Sequence, residues 1–305
     1  MNDNVVIEKF KIPEEAYDVI SHLLTDEERH FITEIDIELF TASDAVKISR
    51  KRISLLQGEK FLQNGYKRGV FNLVDAGKKM YSLNSFYGRL DVFAISEIEK
   101  YRELTEEQKN RLDTWYFGDY AASLDPDLSV RPTSDEVLPL EEVLEFIDKQ
   151  DRTIYLNPCD CRSLAGKCDK PVLTCITYKN GLNSFSHRGH SKVITKEEAK
   201  ELVRDADKKG LMHTVNPNGI CNCCGDCCYL FRAGSSRNST GFWPKAPYII
   251  ETDSEKCISC GKCTKTCHFK VFTLDKRLEA DKSKCVGCGV CVGKCPKGAL
   301  TLIQR

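Results

Sequence analysis

The chain has 305 residues, 17 of them cysteine, and its 45 basic and 45 acidic residues leave a formal net charge of zero. This length suits two or three domains, and the balanced charge argues against a protein that coats nucleic acid in general. The sequence has neither a secretory signal nor about 18 consecutive apolar residues, so we expect a cytoplasmic protein without membrane insertion, whose cysteines serve metal or redox chemistry instead of disulfides.

Residues 1–105 contain no cysteine and form the first predicted domain. Thr25, followed three positions later by Glu28, has the spacing of a capping box at the start of a helix, and further helical segments follow it. The strands VFNLV and MYSLN then flank a turn that contains Gly77, which predicts a β-hairpin. Helices followed by a hairpin resemble a winged-helix domain, a fold that serves either DNA binding or protein interaction.

Basic residues concentrate in the second half of this domain. Residues 47–79 hold nine basic side chains and two acidic ones, with Lys78 and Lys79 at the predicted hairpin turn. Such a face is typical of a DNA-binding surface. The first 46 residues are strongly acidic, however, and a solvated face or a dock for a protein partner explains the charges as well. DNA is therefore an open partner, but a less favoured one.

Residues 106–150 contain the aromatic stretch DTWYF and then a proline-punctuated stretch. A short helix is predicted near residues 140–148. We interpret the whole segment as a connector between domains.

Residues 151–248 form a cysteine-rich middle module, for which the pattern predicts mixed helices and strands. A strand is predicted at TIYL, just before the first cysteines, and another at LMHTV. Between them, Thr195 and Glu198 have capping-box spacing at the start of a helix that ends at Gly210.

The middle module contains nine cysteines, five of them within the stretch GICNCCGDCCYLF. We predict that all nine bind metal: Cys159, Cys161, Cys168, Cys175, Cys221, Cys223, Cys224, Cys227 and Cys228. Adjacent residues of an extended chain point to opposite sides, so each pair of neighbouring cysteines is expected to send one sulfur to one centre and the next to another. Nine thiols make two four-cysteine sites with one left over, or two sites of which one has an iron not held by cysteine.

Iron-sulfur clusters are favoured for this module, because isolated C-x-C and C-C spacings do not resemble zinc knuckles. Zinc and a dithiol redox site stay open as alternatives. The cysteine pattern is similar to that of cysteine-rich iron-sulfur proteins of anaerobic bacteria. No catalytic residue can be named. His187, His190 and His213 are candidates for metal ligation or proton transfer, and Arg162 and Arg188 for neutralising cluster charge or holding an anionic substrate.

Residues 249–305 contain an internal repeat, in which the pattern C-x2-C-x2-C-x3-C recurs after 28 residues. The two copies are Cys257, Cys260, Cys263 and Cys267, then Cys285, Cys288, Cys291 and Cys295. This duplicated pattern resembles the bacterial ferredoxin domain with two 4Fe-4S clusters, whose elements run in βαββαβ-like order. The zinc alternative, two sites of four thiolates each, is disfavoured because structural zinc sites use separated pairs of cysteines.

The resemblance implies a ligand set for each cluster, with the fourth ligand supplied by the other copy. One cluster would take Cys257, Cys260, Cys263 and Cys295, and the other Cys285, Cys288, Cys291 and Cys267. Gly261, Gly287 and Gly289 suit loops in which the backbone approaches a cluster closely. One departure is His268, which stands where the family usually has the proline that Pro296 supplies in the second copy.

Together these patterns predict an α+β multidomain protein that handles electrons. The favoured function is iron-sulfur electron transfer, in which the ferredoxin domain exchanges electrons with one or two further 4Fe-4S clusters in the middle module and with a redox partner protein. One alternative is an iron-sulfur oxidoreductase whose middle cluster binds substrate at an open iron. A further alternative is a redox-sensing winged-helix transcription regulator.

Overall fold

The computed structural model describes residues 3–305, which combine helices with several small sheets. The helices are α1 Asp3–Phe10, α2 Ile20–Leu23, α3 Asp26–Glu34, α4 Ala42–Ile48, α5 Leu55–Lys67, α6 Phe86–Ser96, α7 Ile98–Glu103, α8 Glu106–Ala122, α9 Leu140–Asp148, α10 Asp160–Ala165, α11 Phe185–Arg188, α12 Lys196–Lys208, α13 Tyr229–Ser236, α14 Lys262–Thr266 and α15 Val290–Lys294. The strands are β1 Phe71–Asp75, β2 Met80–Leu83, β3 Glu136–Leu138, β4 Ile154–Pro158, β5 Leu173–Thr177, β6 Lys192–Ile194, β7 Met212–Asn216, β8 Gly219–Cys223, β9 Tyr248–Thr252, β10 Phe272–Leu274, β11 Leu278–Ala280 and β12 Leu300–Gln304. None of the helices in these residues has the length and apolar character needed to span a bilayer.

The chain divides into two compact units. The first unit contains the residues up to Asp119 together with Ser163–Ala165 and Asn180–Ser191, and the second contains Tyr120–Arg162, Gly166–Lys179 and Lys192–Arg305. The second unit therefore includes most of the predicted middle module and the whole C-terminal repeat. The four functional domains drawn from the sequence stay a prediction.

In the first unit, the predicted helices and hairpin are present. The hydroxyl of Thr25 accepts a hydrogen bond from the Glu28 backbone N–H at 3.2 Å, and the Glu28 carboxylate accepts one from the Thr25 N–H at 2.8 Å, which confirms the capping box of α3. Strands β1 and β2 pair antiparallel across a short turn, in which Lys79, and not Gly77, has positive φ. The assignment of this unit to the winged-helix fold stays a prediction.

Four phenylalanine rings pack edge to face or tilted in the core of this unit, with centroids 5.0 to 5.7 Å apart. They come from α3, the segment before α4, α5 and β1: Phe31, Phe40, Phe61 and Phe71. Such contacts stabilise aromatic pairs by about 0.5–1.5 kcal/mol beyond their buried area. The rings therefore join the helices to the hairpin.

The segment predicted as a connector contains two helices. Helix α9, Leu140–Asp148, is where the sequence predicts one. Helix α8, Glu106–Ala122, was not predicted. It carries Tyr116, which stacks on Tyr87 of α6 with ring centroids 4.0 Å apart, so this part of the segment belongs to the packing of the first unit.

In the second unit, an antiparallel sheet of six strands has the order β3-β7-β8-β5-β4-β6. Helices α9 and α12 cover one face, where Val143, Ile147 and Val203 pack against Ile176 and Ile220 of the sheet. The predicted capping box of α12 is confirmed. Because side chains alternate along a strand, Cys175 of β5 and Cys221 and Cys223 of β8 belong to the opposite face.

The C-terminal repeat follows the predicted order β9-α14-β10-β11-α15-β12. Strand β9 pairs with β12 and β10 with β11, both antiparallel. The two copies share their backbone conformation, since positive φ occurs at equivalent positions: Ser259, Gly261 and Lys270 in the first, and Gly287, Gly289 and Gly298 in the second. They also share an ion pair, Lys256 with Asp253 at 2.9 Å and Lys284 with Asp281 at 3.0 Å.

Gly287 is the most constrained of these positions. Its φ is +66°, and a Cβ added there would lie 2.1 Å from the carbonyl oxygen of Tyr248. We expect Gly287→Ala to destabilise the repeat by at least about 1–2 kcal/mol, the strain of a left-handed alanine, with further loss from the clash. Anaerobic thermal unfolding and iron content measure the effect.

Gly293, in helix α15, is the matched control, because an added Cβ meets nothing within 4 Å. Gly293→Ala is expected to leave stability unchanged or to raise it by up to about 1 kcal/mol through helix propensity. Equal stability of the two variants would contradict the constraint at Gly287.

Candidate metal centres

The first predicted ferredoxin ligand set lines one small cavity. Its lining includes all four of the predicted thiols, Cys257, Cys260, Cys263 and Cys295. Apolar groups of Ile258, Leu278 and Leu300 complete the wall. The chain thus brings sulfurs from both copies around a space between them, which fits a cluster whose fourth ligand comes from the other copy.

The second predicted set is also gathered in one place. Cys288 and Cys291 interact electrostatically with Cys267 and Cys285, so sulfurs from both copies again lie together. Burial raises the pKa of Cys288 to about 12, and burial together with the neighbouring sulfurs raises the pKa of Cys291. Deprotonated sulfur in such surroundings needs a cation nearby, which a bound iron cluster provides.

Backbone N–H groups point at several of these sulfurs. The N–H of Gly287 donates to Cys285 Sγ at 3.4 Å, and the N–H of Ala299 donates to Cys295 Sγ at 3.3 Å. Burial by itself raises the pKa of Cys295, but the N–H groups of residues 297–300 outweigh it and lower the pKa. Donors of this kind stabilise negative charge on sulfur and thereby help to set the reduction potential of a cluster.

Six of the nine middle cysteines form a closed ring of neighbouring thiols, named here the six-thiol ring. Each sulfur is hydrogen-bonded to the next in the order Cys159, Cys161, Cys228, Cys223, Cys221, Cys175 and back to Cys159. The sulfurs of Cys223 and Cys228 are 3.4 Å apart. Cysteines as far apart in the chain as Cys159 and Cys228 thus meet at the sheet face opposite the helices.

The pKa shifts alternate around the six-thiol ring. Contacts with neighbouring thiols lower the pKa of three sulfurs, to about 6 for the last of them: Cys159, Cys221 and Cys228. The same contacts, together with burial, raise the pKa of the three sulfurs between them: Cys161, Cys175 and Cys223. Burying several anionic sulfurs together without a cation has a high desolvation free energy. A bound metal ion or cluster would remove this penalty, so the ring is suited to binding one.

The remaining three cysteines form a second group, named here the three-thiol group: Cys168, Cys224 and Cys227. Their sulfurs all lie within 4.8 Å of one another. Cys224 and Cys227 are 1% exposed, whereas Cys168 is half-buried. The pKa of Cys224 is lowered to about 5, mainly by its hydrogen bond with the Cys227 thiol. The Cys227 N–H and the Arg162 guanidinium also lower it, and together these groups outweigh the effect of burial.

The two adjacent cysteine pairs are divided between these groups. Cys223 and Cys228 belong to the six-thiol ring, while Cys224 and Cys227 belong to the three-thiol group. This is the separation that alternation along the chain predicts. The structure groups the nine sulfurs as six and three, however, and not as two sets of four with one left over. Their role as metal ligands stays a prediction.

Arg162 is the charged side chain shared by the two groups. It is 2% exposed, and it interacts electrostatically with Cys159 of the ring and with Cys224 and Cys168. Burial lowers the pKa of Arg162, but these sulfurs outweigh it and raise the pKa. Its guanidinium therefore compensates sulfur charge, one of the two roles for which its residue type made it a candidate.

The C-terminal repeat packs directly beside the six-thiol ring within the second unit. Cys221, Cys223 and Cys228 share an apolar cluster with Cys288 and with Val286 and Val290. Sulfurs of the ring and a predicted ligand of the second ferredoxin cluster therefore pack against one group of side chains. The spacing of cysteines along the chain does not predict this contact between the ring and the repeat.

His268, the departure from the family pattern, makes part of this packing. Its imidazole donates to the carbonyl oxygen of Gly210 at 2.9 Å. Gly225, between the two adjacent cysteine pairs, lies so close that an added Cβ would be 2.6 Å from the Cβ of His268. The next residue, Phe269, packs on Phe231 with ring centroids 5.4 Å apart. The residue that replaces proline thus holds the ferredoxin loop against the cysteine-dense loop.

The other candidate polar residues have structural partners. Arg188 is buried in the first unit and donates to the carbonyls of Tyr66 and Phe71. His187 hydrogen-bonds the Tyr66 hydroxyl and His190 donates to the Lys67 carbonyl, both at 2.6 Å. Buried His213 hydrogen-bonds the Asn222 side chain at 2.7 Å, between β7 and β8.

Comparison with known families identifies the C-terminal repeat. Residues 256–299 match the profile of a family described as a 4Fe-4S dicluster domain. The prediction that this segment binds 4Fe-4S clusters is thereby confirmed, while the number of clusters and the individual ligands stay predictions. Neither the curated proteins nor the solved structures contained a match to the chain.

Removal of iron should selectively unfold the C-terminal repeat. Its core consists of a few apolar side chains, such as Ile250, Phe272 and Leu300, packed with cysteines. Without iron these cysteines no longer cross-link the core through a metal centre, and the apolar side chains are too few to stabilise so small a unit. We expect chelation of iron under denaturant-free, oxidising conditions to make the repeat sensitive to protease, with release of fragments that contain residues after Thr252. The cysteine-free helices of the first unit are the internal control and should keep their circular dichroism. Persistence of a protease-resistant, iron-free repeat would contradict the dependence on clusters.

Proposed function

We propose that this protein transfers electrons between a redox partner and a metal centre in the six-thiol ring, through its C-terminal ferredoxin domain. The 4Fe-4S clusters of such a domain, when bound, supply one-electron redox chemistry. The observation that carries the proposal is the common apolar cluster of Cys288 with Cys221, Cys223 and Cys228. It places a predicted cluster ligand and three ring cysteines in one group of packed side chains.

In this proposal the eight repeat cysteines hold two clusters, with the ligand sets that the ferredoxin resemblance implies. The six-thiol ring holds a further cluster, with four of its six sulfurs available as ligands of a 4Fe-4S centre. Groups of the chain stabilise the negative charge on these sulfurs. Backbone N–H groups donate to the sulfurs of Cys285 and Cys295, and the Arg162 guanidinium compensates negative charge on the six-thiol ring.

The surface charge of the C-terminal repeat agrees with bound clusters. Residues 250–305 contain 11 basic and six acidic residues. Each cluster with four thiolates carries a charge of about −2 when oxidised. A repeat loaded with two clusters is therefore close to neutral, so its basic excess compensates the clusters and does not indicate nucleic-acid binding.

We further propose that the first unit, with its winged-helix-like order of elements, recognises the protein partner. Leu55 and Leu56 at the start of α5 are 55% and 61% exposed. Exposed apolar side chains beside the basic residues Arg50, Lys51 and Arg52 suit a protein surface better than a phosphate backbone. This favours a partner protein over DNA and over a transcription regulator.

The proposal predicts a separate effect for each centre. We expect the double variant Cys221→Ser/Cys223→Ser to lose about four irons and four sulfides per chain and to keep about eight, because the ferredoxin clusters have other ligands. Electron paramagnetic resonance of the dithionite-reduced protein should lose one signal and any magnetic coupling between it and the ferredoxin clusters.

Cys260→Ser is the matched control, since the same substitution is made at the exposed ferredoxin thiol. It should disturb only the cluster of the first predicted set. Unchanged iron and sulfide in the ring variant would refute the ring as an iron-sulfur centre, and unchanged reoxidation by an artificial acceptor would refute its part in electron transfer.

A further inference from the structure

The three-thiol group is more compact than any other set of potential ligands in the described part of the chain. The sulfur of Cys168 lies 3.6 Å from that of Cys224 and 3.7 Å from that of Cys227. No other three cysteine, histidine or acidic side chains among residues 3–305 place their ligand atoms within 4.8 Å of one another. The eight ferredoxin thiols, in particular, contain no such triple.

This spacing distinguishes a single metal ion from a cluster. A tetrahedral zinc–thiolate site has metal–sulfur bonds of about 2.3 Å, so its sulfurs are about 3.8 Å apart. In a 4Fe-4S cluster each thiolate binds a different iron, so three of its ligand sulfurs are not all close to one another. Neither the ferredoxin thiols nor those of the six-thiol ring include three sulfurs that all lie within 4.8 Å of one another. The three-thiol group therefore has the dimensions of a mononuclear site.

The surroundings supply the charge that such a site requires. Three thiolates around a divalent ion leave a net charge of −1, and the buried guanidinium of Arg162 reaches Cys224 with a charge of +1. Arg162 is held there by hydrogen bonds to the Pro171 carbonyl, the Thr174 hydroxyl at 3.1 Å and the Asn222 carbonyl at 2.8 Å. The guanidinium is thus an outer partner of the kind that orients metal ligands.

A second donor is already directed at the group. The backbone N–H of Cys227 donates to Cys224 Sγ at 3.4 Å. Among the described residues no fourth protein ligand completes the set. Sites with three protein ligands keep the fourth position of the metal for water or an exogenous group.

We infer that Cys168, Cys224 and Cys227 bind one soft divalent ion, zinc or ferrous iron, whose fourth position is open to water or to an exogenous thiolate. This site is additional to the iron-sulfur centres of the proposed function and does not depend on them. Soft sulfur ligands favour these ions over magnesium or calcium, and an anionic sulfur ligand is the class that the fourth position prefers.

The test uses the full chain, purified without oxygen, with metal and acid-labile sulfide counted per chain. Cys168→Ser is the informative variant, because Cys168 is the half-buried member of the group. We expect it to lose about one zinc or iron with no change in sulfide, since a mononuclear site contains no inorganic sulfide. The control Cys260→Ser should lower iron and sulfide together. Ferredoxin signals that persist in Cys168→Ser separate this result from any failure of the electron-transfer proposal.

Two outcomes would overturn the inference. Loss of several irons with an equal number of sulfides would make Cys168 a cluster ligand, and no loss of metal would remove the site. Cobalt substitution of the unaltered protein gives an independent reading if the variant does not fold. It should produce the thiolate charge-transfer and ligand-field bands of tetrahedral cobalt, and a small added thiol should shift them. Octahedral bands would contradict the site, and bands that the thiol does not move would contradict its open position.

Discussion

Sulfur held away from water requires positive charge, and this requirement organises the second unit. Seventeen cysteines lie in this unit, many of them buried, in two ferredoxin sets, the six-thiol ring and the three-thiol group. Thiols packed so closely titrate together, because each anion is stabilised by donors and destabilised by other anions. Arg162 and backbone N–H groups supply part of this positive charge, and in our proposal bound metal supplies the rest. We therefore expect folding of the cysteine-rich parts of this unit to be coupled to metal binding.

The six-stranded sheet separates ordinary packing from sulfur chemistry. One face has a conventional apolar core under α9 and α12, which stabilises the sheet without help from metal. On the other face, Cys221 and Cys223 pack against the C-terminal repeat, which contributes Val286 and Val290 to the contact. This arrangement holds three ring sulfurs, those of Cys175, Cys221 and Cys223, on paired strands, and residues on such elements position ligands more precisely than loops do.

The histidine that replaces proline in the first copy shows how a duplicated domain is adapted to its neighbour. A proline could not donate to the Gly210 carbonyl as the His268 imidazole does. The close approach of Gly225 and the ring contact of Phe269 with Phe231 extend the same interface. In the second copy the equivalent Pro296 lines the cavity of the first ligand set and has no such task. The two copies of the repeat thus share their cysteine pattern but differ in the contacts made by the residue after the fourth cysteine.

The sequence by itself determined the features that depend on local spacing. These are the ferredoxin repeat with its left-handed loop positions, the capped helices α3 and α12, the β1–β2 hairpin, and the separation of adjacent cysteines, since alternation and capping involve residues a few positions apart. Tertiary structure decided the rest: the grouping of nine sulfurs as six and three, the task of His268, and the place of residues 180–191 in the first unit, where Arg188 is buried. Helix α8 also escaped prediction, because its aromatic residues find their partners on α6. These outcomes depend on contacts between residues far apart in the chain, and no local pattern encodes which distant partner a side chain will meet.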